Sequence, residues 1–203
     1  PDLILAYGDT DSTLAAAIVS KRLNIKLMHI EAGLRSNILD MPEEQNRFVT
    51  DYLSDYLITP TKDAKKNLLE FNSKKKIYNY GDVMYDSIIF YKKLINKTYS
   101  DNFKKKNNLT KKYVLLTIHR DSNSNIKTIK EFIKQMAFLN YIFFYPLHPK
   151  ISNLIKKHNI NFPKNIICVK PLSYLDTIAA IKNSSFVITD SGGVQKEAYF
   201  MRK

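Results

Sequence analysis

The chain is 203 residues long, 44% apolar and 25% charged, an ordinary make-up for a globular protein with room for a buried core and one or two domains. It has no apolar run near the roughly 20 residues that span a bilayer, nothing at its start that reads as a signal peptide, since Asp2 sits where a basic region belongs, and a single cysteine, Cys168, which rules out an internal disulfide. The net charge of +13 rests on 27 lysines against 5 arginines; nucleic-acid readers lean on the bidentate arginine fork, so this balance argues for solvated lysine faces, with no nucleic acid and no membrane as partner.

In chain order, short apolar runs alternate with segments of helical period. Leu3–Tyr7, Ile25–Ile30, Tyr56–Thr59, Ile77–Tyr80, Tyr113–Ile118, Ile142–Tyr145, Ile166–Val169 and Phe186–Thr189 are the expected strands. Ser12–Leu23, Pro42–Leu53, Lys62–Phe71, Val83–Ile95, Ile126–Leu139, Ile151–His158, Tyr174–Lys182 and Val194–Phe200 are the expected helices. This alternation predicts an α/β protein, with parallel sheets covered by helices on both faces. Right-handed crossovers then gather the strand-end loops of each sheet on one rim. Between Asn96 and Lys112 the chain is polar and has no sustained apolar period. The reading is therefore a first domain over 1–95, a linker over 96–112 and a second domain over 113–203. The runs Lys74–Lys76 and Lys104–Lys106 fall in expected connections and read as solvated loops. Cys168, within a strand, reads as a buried, inert thiol in a reducing cytoplasm. Pro1 leads directly into a strand and the chain stops around a helix, so a fragment with both domains incomplete is expected.

Four strand ends carry residues with chemistry. Tyr7-Gly8-Asp9-Thr10-Asp11-Ser12 follows the first strand; Asp11 or Ser12 suits a helix cap, which leaves Asp9 without a structural duty. An Asp9/Asp11 metal pair is the alternative there. The second strand runs into Glu31-Ala32-Gly33-Leu34-Arg35, and Pro42 then opens a helix with Glu43 and Glu44 in its first turn. Glu44 reads as a partner of the helix dipole. Glu43 and Arg47, four apart, share a face and form a surface ion pair by default. Three carboxylates, Asp9, Glu31 and Glu43, arriving on one rim would drive their pKa values apart, which suits acid and base roles. In the second domain His119 and Arg120 end one strand and His148 the next, candidates for phosphate contact or plain turn residues. Finally, Thr189-Asp190-Ser191-Gly192-Gly193 leads from strand to helix, where bare N–H groups and the dipole receive phosphate, with Glu197 one turn on to accept ribose hydroxyls. Neither a Walker loop nor a Gly-x-Gly-x-x-Gly fingerprint is present.

Gly8-Asp9-Thr10, His29-Ile30-Glu31-Ala32-Gly33-Leu34-Arg35, Pro42-Glu43-Glu44-x-Asn46-Arg47, Gly81-Asp82-Val83-Met84-Tyr85-Asp86, Thr117-Ile118-His119-Arg120 and Asp190-Ser191-Gly192-Gly193-x-Gln195-x-Glu197-Ala198 occur in that order. Together they resemble the non-hydrolysing UDP-N-acetylglucosamine 2-epimerase family, along essentially the whole chain. The resemblance implies a glycosyltransferase-B-like fold of two Rossmann-like domains facing a cleft, and a homodimer. It implies a cytoplasmic isomerase that interconverts UDP-GlcNAc and UDP-ManNAc for surface polysaccharide synthesis, without cofactor or metal. UDP is eliminated across C1–C2 to leave 2-acetamidoglucal and is then re-added. By the same resemblance Asp9, Glu31 and Glu43 are the acid/base candidates and Arg47 supports them. His119, Ser191, Gly192, Gly193 and Glu197 hold UDP, and Arg120 and His148 receive a second UDP-sugar as activator.

Two departures stand out. Ser122 occupies a position that is usually acidic in the family, and a leading Gly-x-Arg-Pro-Glu loop and the end of the second domain are absent. An inactive truncated remnant is therefore one alternative. A glycosyltransferase with a nucleotide-sugar donor, with or without metal, is the other.

Overall fold

The chain alternates strand and helix as the apolar pattern requires. The computed structural model describes residues 1–71, 75–119 and 125–203, and the chain divides into two units, Pro1–Val83 and Met84–Lys203. Arg120 and Ser122 lie outside the described residues.

Unit 1 runs β1 (Leu3–Tyr7), α1 (Asp11–Arg22), β2 (Lys26–Ile30), α2 (Pro42–Leu53), β3 (Tyr56–Thr59), α3 (Lys62–Phe71) and β4 (Lys76–Asn79). Its four strands are parallel, in the order β1-β2-β3-β4. Tyr7 pairs with Ile30, so Gly8 and Glu31 leave the sheet side by side. The apolar core is small: Ala6, Ala17 and Leu27 in one cluster, Ala32, Leu57 and Leu68 in another. Much of what α2 buries is polar instead, namely Glu44, Asn46, Thr50 and Asp51.

Unit 2 holds α4 (Val83–Leu94, all but its first residue), α5 (Lys97–Lys106), β5 (Tyr113–Thr117), α6 (Ile126–Ala137), β6 (Ile142–Pro146), α7 (Pro149–Lys157), β7 (Ile166–Val169), α8 (Tyr174–Asn183), β8 (Val187–Thr189) and α9 (Gly192–Phe200). The parallel sheet has the order β7-β6-β5-β8. Strand order therefore reverses between β5 and β8, and such a switch point opens a ligand crevice at the carboxyl ends of the strands. Alternate residues of the central strands fill two cores, Tyr113, Leu115 and Phe144 on one face and Val114, Leu116, Phe143 and Tyr145 on the other.

The expected linker over 96–112 is instead part of unit 2, and the division falls at Val83/Met84. Asn96 caps α5 by accepting the Tyr99 N–H. Phe103 then packs edge-on against Phe144 with ring centroids 5.8 Å apart, and the Tyr99 hydroxyl donates to Asp176 at 2.9 Å. One buried aromatic holds a ten-residue helix whose composition is otherwise polar, because tertiary packing outweighs the missing apolar stripe. Lys104–Lys106 accordingly form the last turn of that helix, beside its negative dipole end. Lys75 is not a solvated loop residue either. Its ammonium donates to the carbonyls of Asp51, Tyr52 and Ser54 at the end of α2, and burial pulls its pKa down. Cys168 is half-buried rather than fully buried, and that burial pushes its thiol up to about 12, which keeps it inert.

Asparagine terminates three helices. Asn24, Asn108 and Asn159 have φ of 53°, 55° and 47°, and each is followed by an apolar residue whose N–H reaches back into the last helical turn. These are Schellman closures with Asn in the left-handed position. Gly33, with φ +80°, is constrained differently: a Cβ there would lie 2.2 Å from the Ala64 carbonyl oxygen, so α3 packs where any side chain would stand. Gly33→Ala should cost about 2–4 kcal/mol, combining backbone strain with overpacking. Gly81→Ala has φ +92° but open space around it, and should cost only about 1 kcal/mol. Denaturant midpoints of the two variants measure the difference; equal losses would mean that the close approach of α3 is not what fixes Gly33.

Candidate active site

At the carboxyl ends of β1 and β2 the two loops are held by one face of α2. Glu44, Arg47 and Asp51 stand on successive turns of that helix and reach three different targets. Glu44 is fully buried and accepts the N–H of Ser36 (2.9 Å), the Ser36 hydroxyl (3.0 Å) and the N–H of Asn37 (3.2 Å). Burial alone would raise its pKa; these donors and Arg47 bring it below the usual carboxylate range. Arg47 spans Asp9, at 2.5 Å, and Glu44, at 3.0 Å. Asp51 is buried and takes His29 Nδ1 at 2.7 Å on one oxygen, with Arg35 Nη1 at 2.7 Å and the Gly33 N–H at 3.2 Å on the other.

Several expectations change here. Arg47 pairs with Asp9 and Glu44, not with Glu43, because the i,i+3 neighbour faces inward. Glu43 stands half-exposed in the first turn. Neither Asp11 nor Ser12 caps α1: Thr10 takes that position without a side-chain cap bond, and Asp11 accepts from Asn46 at 3.0 Å. Asn46 also donates to the Asp9 carbonyl at 2.9 Å. The Asp9/Asp11 pair is thus engaged by a guanidinium and an amide, and among the described residues no group of three His, Cys, Asp or Glu is arranged around a common metal position. Glu31 has φ 74°, a left-handed conformation that costs a non-glycine residue about 1–3 kcal/mol and marks strain held at a site. Its Oε2 would lie 3.8 Å from a Cβ on Gly8, so Asp9 and Glu31 flank one small region.

In unit 2 the switch point between β5 and β8 gathers the other candidates. The Thr117 and Thr189 hydroxyls bond at 2.6 Å across the two strands. Asp190 accepts the His119 N–H with both oxygens, at 3.0 and 3.1 Å. The His119 ring stacks on His148 with centroids 5.1 Å apart, and His148 caps α7 by accepting the Lys150 N–H. A cavity of about 150 Å³ opens beside them, lined by Thr117, His119, Pro146, Leu172, Thr177 and Val194. Ser191 is the N-cap of α9, and Gly192 and Gly193 are its first helical residues rather than a preceding turn. Their N–H groups are the orphan donors of a helix start. Glu197, one turn along, is buried, and burial pushes its carboxyl up to about 7.

Sequence reasoning placed Arg35 at the strand end but gave His29 and Asp51 no individual role, and read Glu44 only as a partner of the helix dipole. The available signal was a helix with carboxylate, guanidinium and carboxylate at positions 44, 47 and 51 where an apolar stripe belongs, after a strand carrying a lone histidine.

Comparison with known proteins converges on one family. The family model for UDP-N-acetylglucosamine 2-epimerase matches residues 1–203. A UDP-N-acetylglucosamine 2-epimerase homolog of Methanococcus maripaludis is 44% identical over all of this chain and 58% of its own length. A UDP-2,3-diacetamido-2,3-dideoxy-D-glucuronate 2-epimerase of Pseudomonas aeruginosa is 37% identical over all of this chain and 57% of its own. The crystal structure of the UDP-GlcNAc 2-epimerase of Methanocaldococcus jannaschii, in complex with UDP-GlcNAc and UDP, superposes with a TM-score of 0.84 at 35% identity, over all of this chain and 58% of that one. The chain thus spans a little under three-fifths of the length of these relatives. The family model covers this chain of two parallel sheets with flanking helices from end to end, and the chain belongs to the UDP-N-acetylglucosamine 2-epimerase family.

Proposed function

We propose that the protein inverts C2 of UDP-N-acetylglucosamine to give UDP-N-acetylmannosamine, reversibly, for surface polysaccharide precursors. The C2 proton is not adjacent to a carbonyl carbon, so removing it directly is hard. Elimination avoids that: a base takes the C2 proton, the C1–O bond breaks, and UDP leaves with the bonding pair. The product is 2-acetamidoglucal. Re-addition forms the C1–O bond again while an acid delivers a proton to C2 from the other face.

The observation that carries this reading is the Asp9–Arg47–Glu44 chain beside Glu31. Two faces of C2 require two proton-transfer groups, and this rim offers Asp9, Glu31 and Glu43. Arg47 holds the Asp9 carboxylate at 2.5 Å while leaving it 30% exposed, within reach of a substrate proton. In unit 2, the Gly192 and Gly193 N–H groups, Ser191 and His119 receive the pyrophosphate and stabilise it as it departs. Glu197 accepts the ribose hydroxyls. A homodimer, a cytoplasmic setting and a second UDP-sugar held as activator by His148 and Arg120 belong to the same proposal. A glycosyltransferase would draw on the same nucleotide contacts, but would leave the strained carboxylate at Glu31 without a task.

Turnover of UDP-GlcNAc in D2O by the whole protein tests the reaction. Deuterium at C2 of both epimers is expected, and turnover should be indifferent to EDTA. Epimerisation without deuterium would reject the elimination route. UDP-2,3-diacetamido-2,3-dideoxyglucuronate, the sugar named for the Pseudomonas aeruginosa relative, is the comparison substrate.

The Glu197 carboxyl gives a second test. Burial puts its pKa at about 7, and only the ionised form accepts two hydroxyl donors. Binding therefore draws on the deprotonated fraction, and affinity falls as pH drops through 7. Between pH 8 and pH 6 the Kd for UDP-GlcNAc, whose pyrophosphate does not titrate in that range, should weaken roughly tenfold. Glu197→Gln should bind more weakly and show a flat profile in calorimetry. A flat wild-type profile would mean that Glu197 does not hold the ribose.

A further inference from the structure

We infer that His29 is a positioning residue, whose bond to the Gly8 carbonyl sets the Asp9 turn while Asp51 holds the ring in place; the inference rests on the epimerase reading above. His29 is fully buried in β2, between the two loops. Its Nε2 lies 2.8 Å from the Gly8 carbonyl and its Nδ1 2.7 Å from an Asp51 oxygen; both oxygens accept, so the ring N–H is the donor in each bond. That carbonyl belongs to the peptide linking Gly8 to Asp9. The bond therefore fixes the rotation of the peptide plane from which the Asp9 side chain springs.

The same ring contacts Asp51 through Nδ1, and the second oxygen of Asp51 takes the Gly33 N–H and Arg35. One carboxylate thus ties down both turns: the first through His29, the second two residues beyond Glu31. Arg47 and Asn46 of the same helix hold the Asp9 carboxylate and carbonyl. None of these accounts for a histidine rather than an apolar residue at the centre of β2, where burial alone would favour Val or Ile. The imidazole is the piece that holds the Gly8–Asp9 peptide, and it does not itself touch substrate.

Two substitutions separate the two bonds of the ring. Gln places its amide nitrogen near Nε2 and keeps the Gly8 bond while losing Asp51. Asn places its amide near Nδ1 and keeps Asp51 while losing Gly8. In the whole protein, His29→Asn should lower kcat about a hundredfold with KM within threefold, the loss expected from a displacement near 1 Å. His29→Gln should retain most of kcat, although both variants lower the melting temperature. Equal kcat for the two variants, or a loss confined to KM, would overturn the inference. Should neither variant fold, the wild-type ring decides: its Nε2–H NMR signal should shift on binding UDP-GlcNAc and not on binding UDP alone, and an unmoved signal overturns it. If the wild-type protein neither epimerises UDP-GlcNAc nor exchanges its C2 proton, the epimerase reading falls and takes this inference with it. If the wild type is active and His29→Asn is equally active, only the inference falls.

Discussion

A single buried carboxylate organises unit 1. Asp51 is 1% exposed and gathers an imidazole, a guanidinium and a backbone N–H. Taking ionised groups out of water costs several kcal/mol each, and Coulomb attraction returns that only when every lone pair is used. Both oxygens of Asp51 are used. Arg35 makes the arrangement less than complete: its Nη2 is buried without a partner among the described residues, although the guanidinium also lies over the Phe48 ring at 4.3 Å. A packed apolar cluster would stabilise such a fold at least as well. What the charged cluster adds is direction. Each bond fixes a particular peptide or side chain, whereas hydrophobic contact fixes only proximity.

That direction is needed because the loops it holds are not relaxed. Glu31 stands at φ 74° immediately after a strand, and strain of this kind persists only where the surroundings over-determine it. They do so here. The Ala32 N–H bonds the Ile58 carbonyl at 3.0 Å, the Gly33 N–H bonds Asp51, and Asn67 donates to the Gly33 carbonyl at 2.9 Å. Glycine at position 31 would remove the strain and the carboxyl group together. A turn alone does not require the side chain that brings this strain.

Much of the fold was legible because β-strands buried on both faces declare themselves as short apolar runs. Tyr113–Thr117, Ile142–Pro146 and Ile166–Val169 match the runs read from sequence to within a residue at either end. Helix α5 was not legible, since a single phenylalanine in a lysine-rich segment gives no period to detect. The asparagines at 24, 108 and 159 pass for compositional bias until their left-handed backbone is seen closing three helices. At the site, the strand-end residues Asp9, Glu31, His119 and Ser191 were accessible to pattern reasoning, because position at a strand's carboxyl end is itself the signal. Asp51 and His29 were not. One is in the last turn of a helix and the other inside a strand, and only the fold shows that a carboxylate 22 residues downstream meets the ring.

Glu44 and Glu197 show how differently the chain can treat two buried carboxylates. Both are glutamates buried in the first two turns of a helix, and burial works against ionisation in both. Glu44 receives its donors from the chain itself, and its pKa ends below the ordinary range. Glu197 has burial as the sole cause of its shift and rises to about 7. A desolvated carboxyl costs stability until it is given hydrogen bonds. For Glu44 that cost is met on folding, and the return is a fixed loop between Ser36 and Asn37. For Glu197 no donor from the described residues meets it, and its carboxyl stays raised. The direction of the shift, read beside the source of the donors, separates the carboxylate that fixes a loop from the one that burial alone governs.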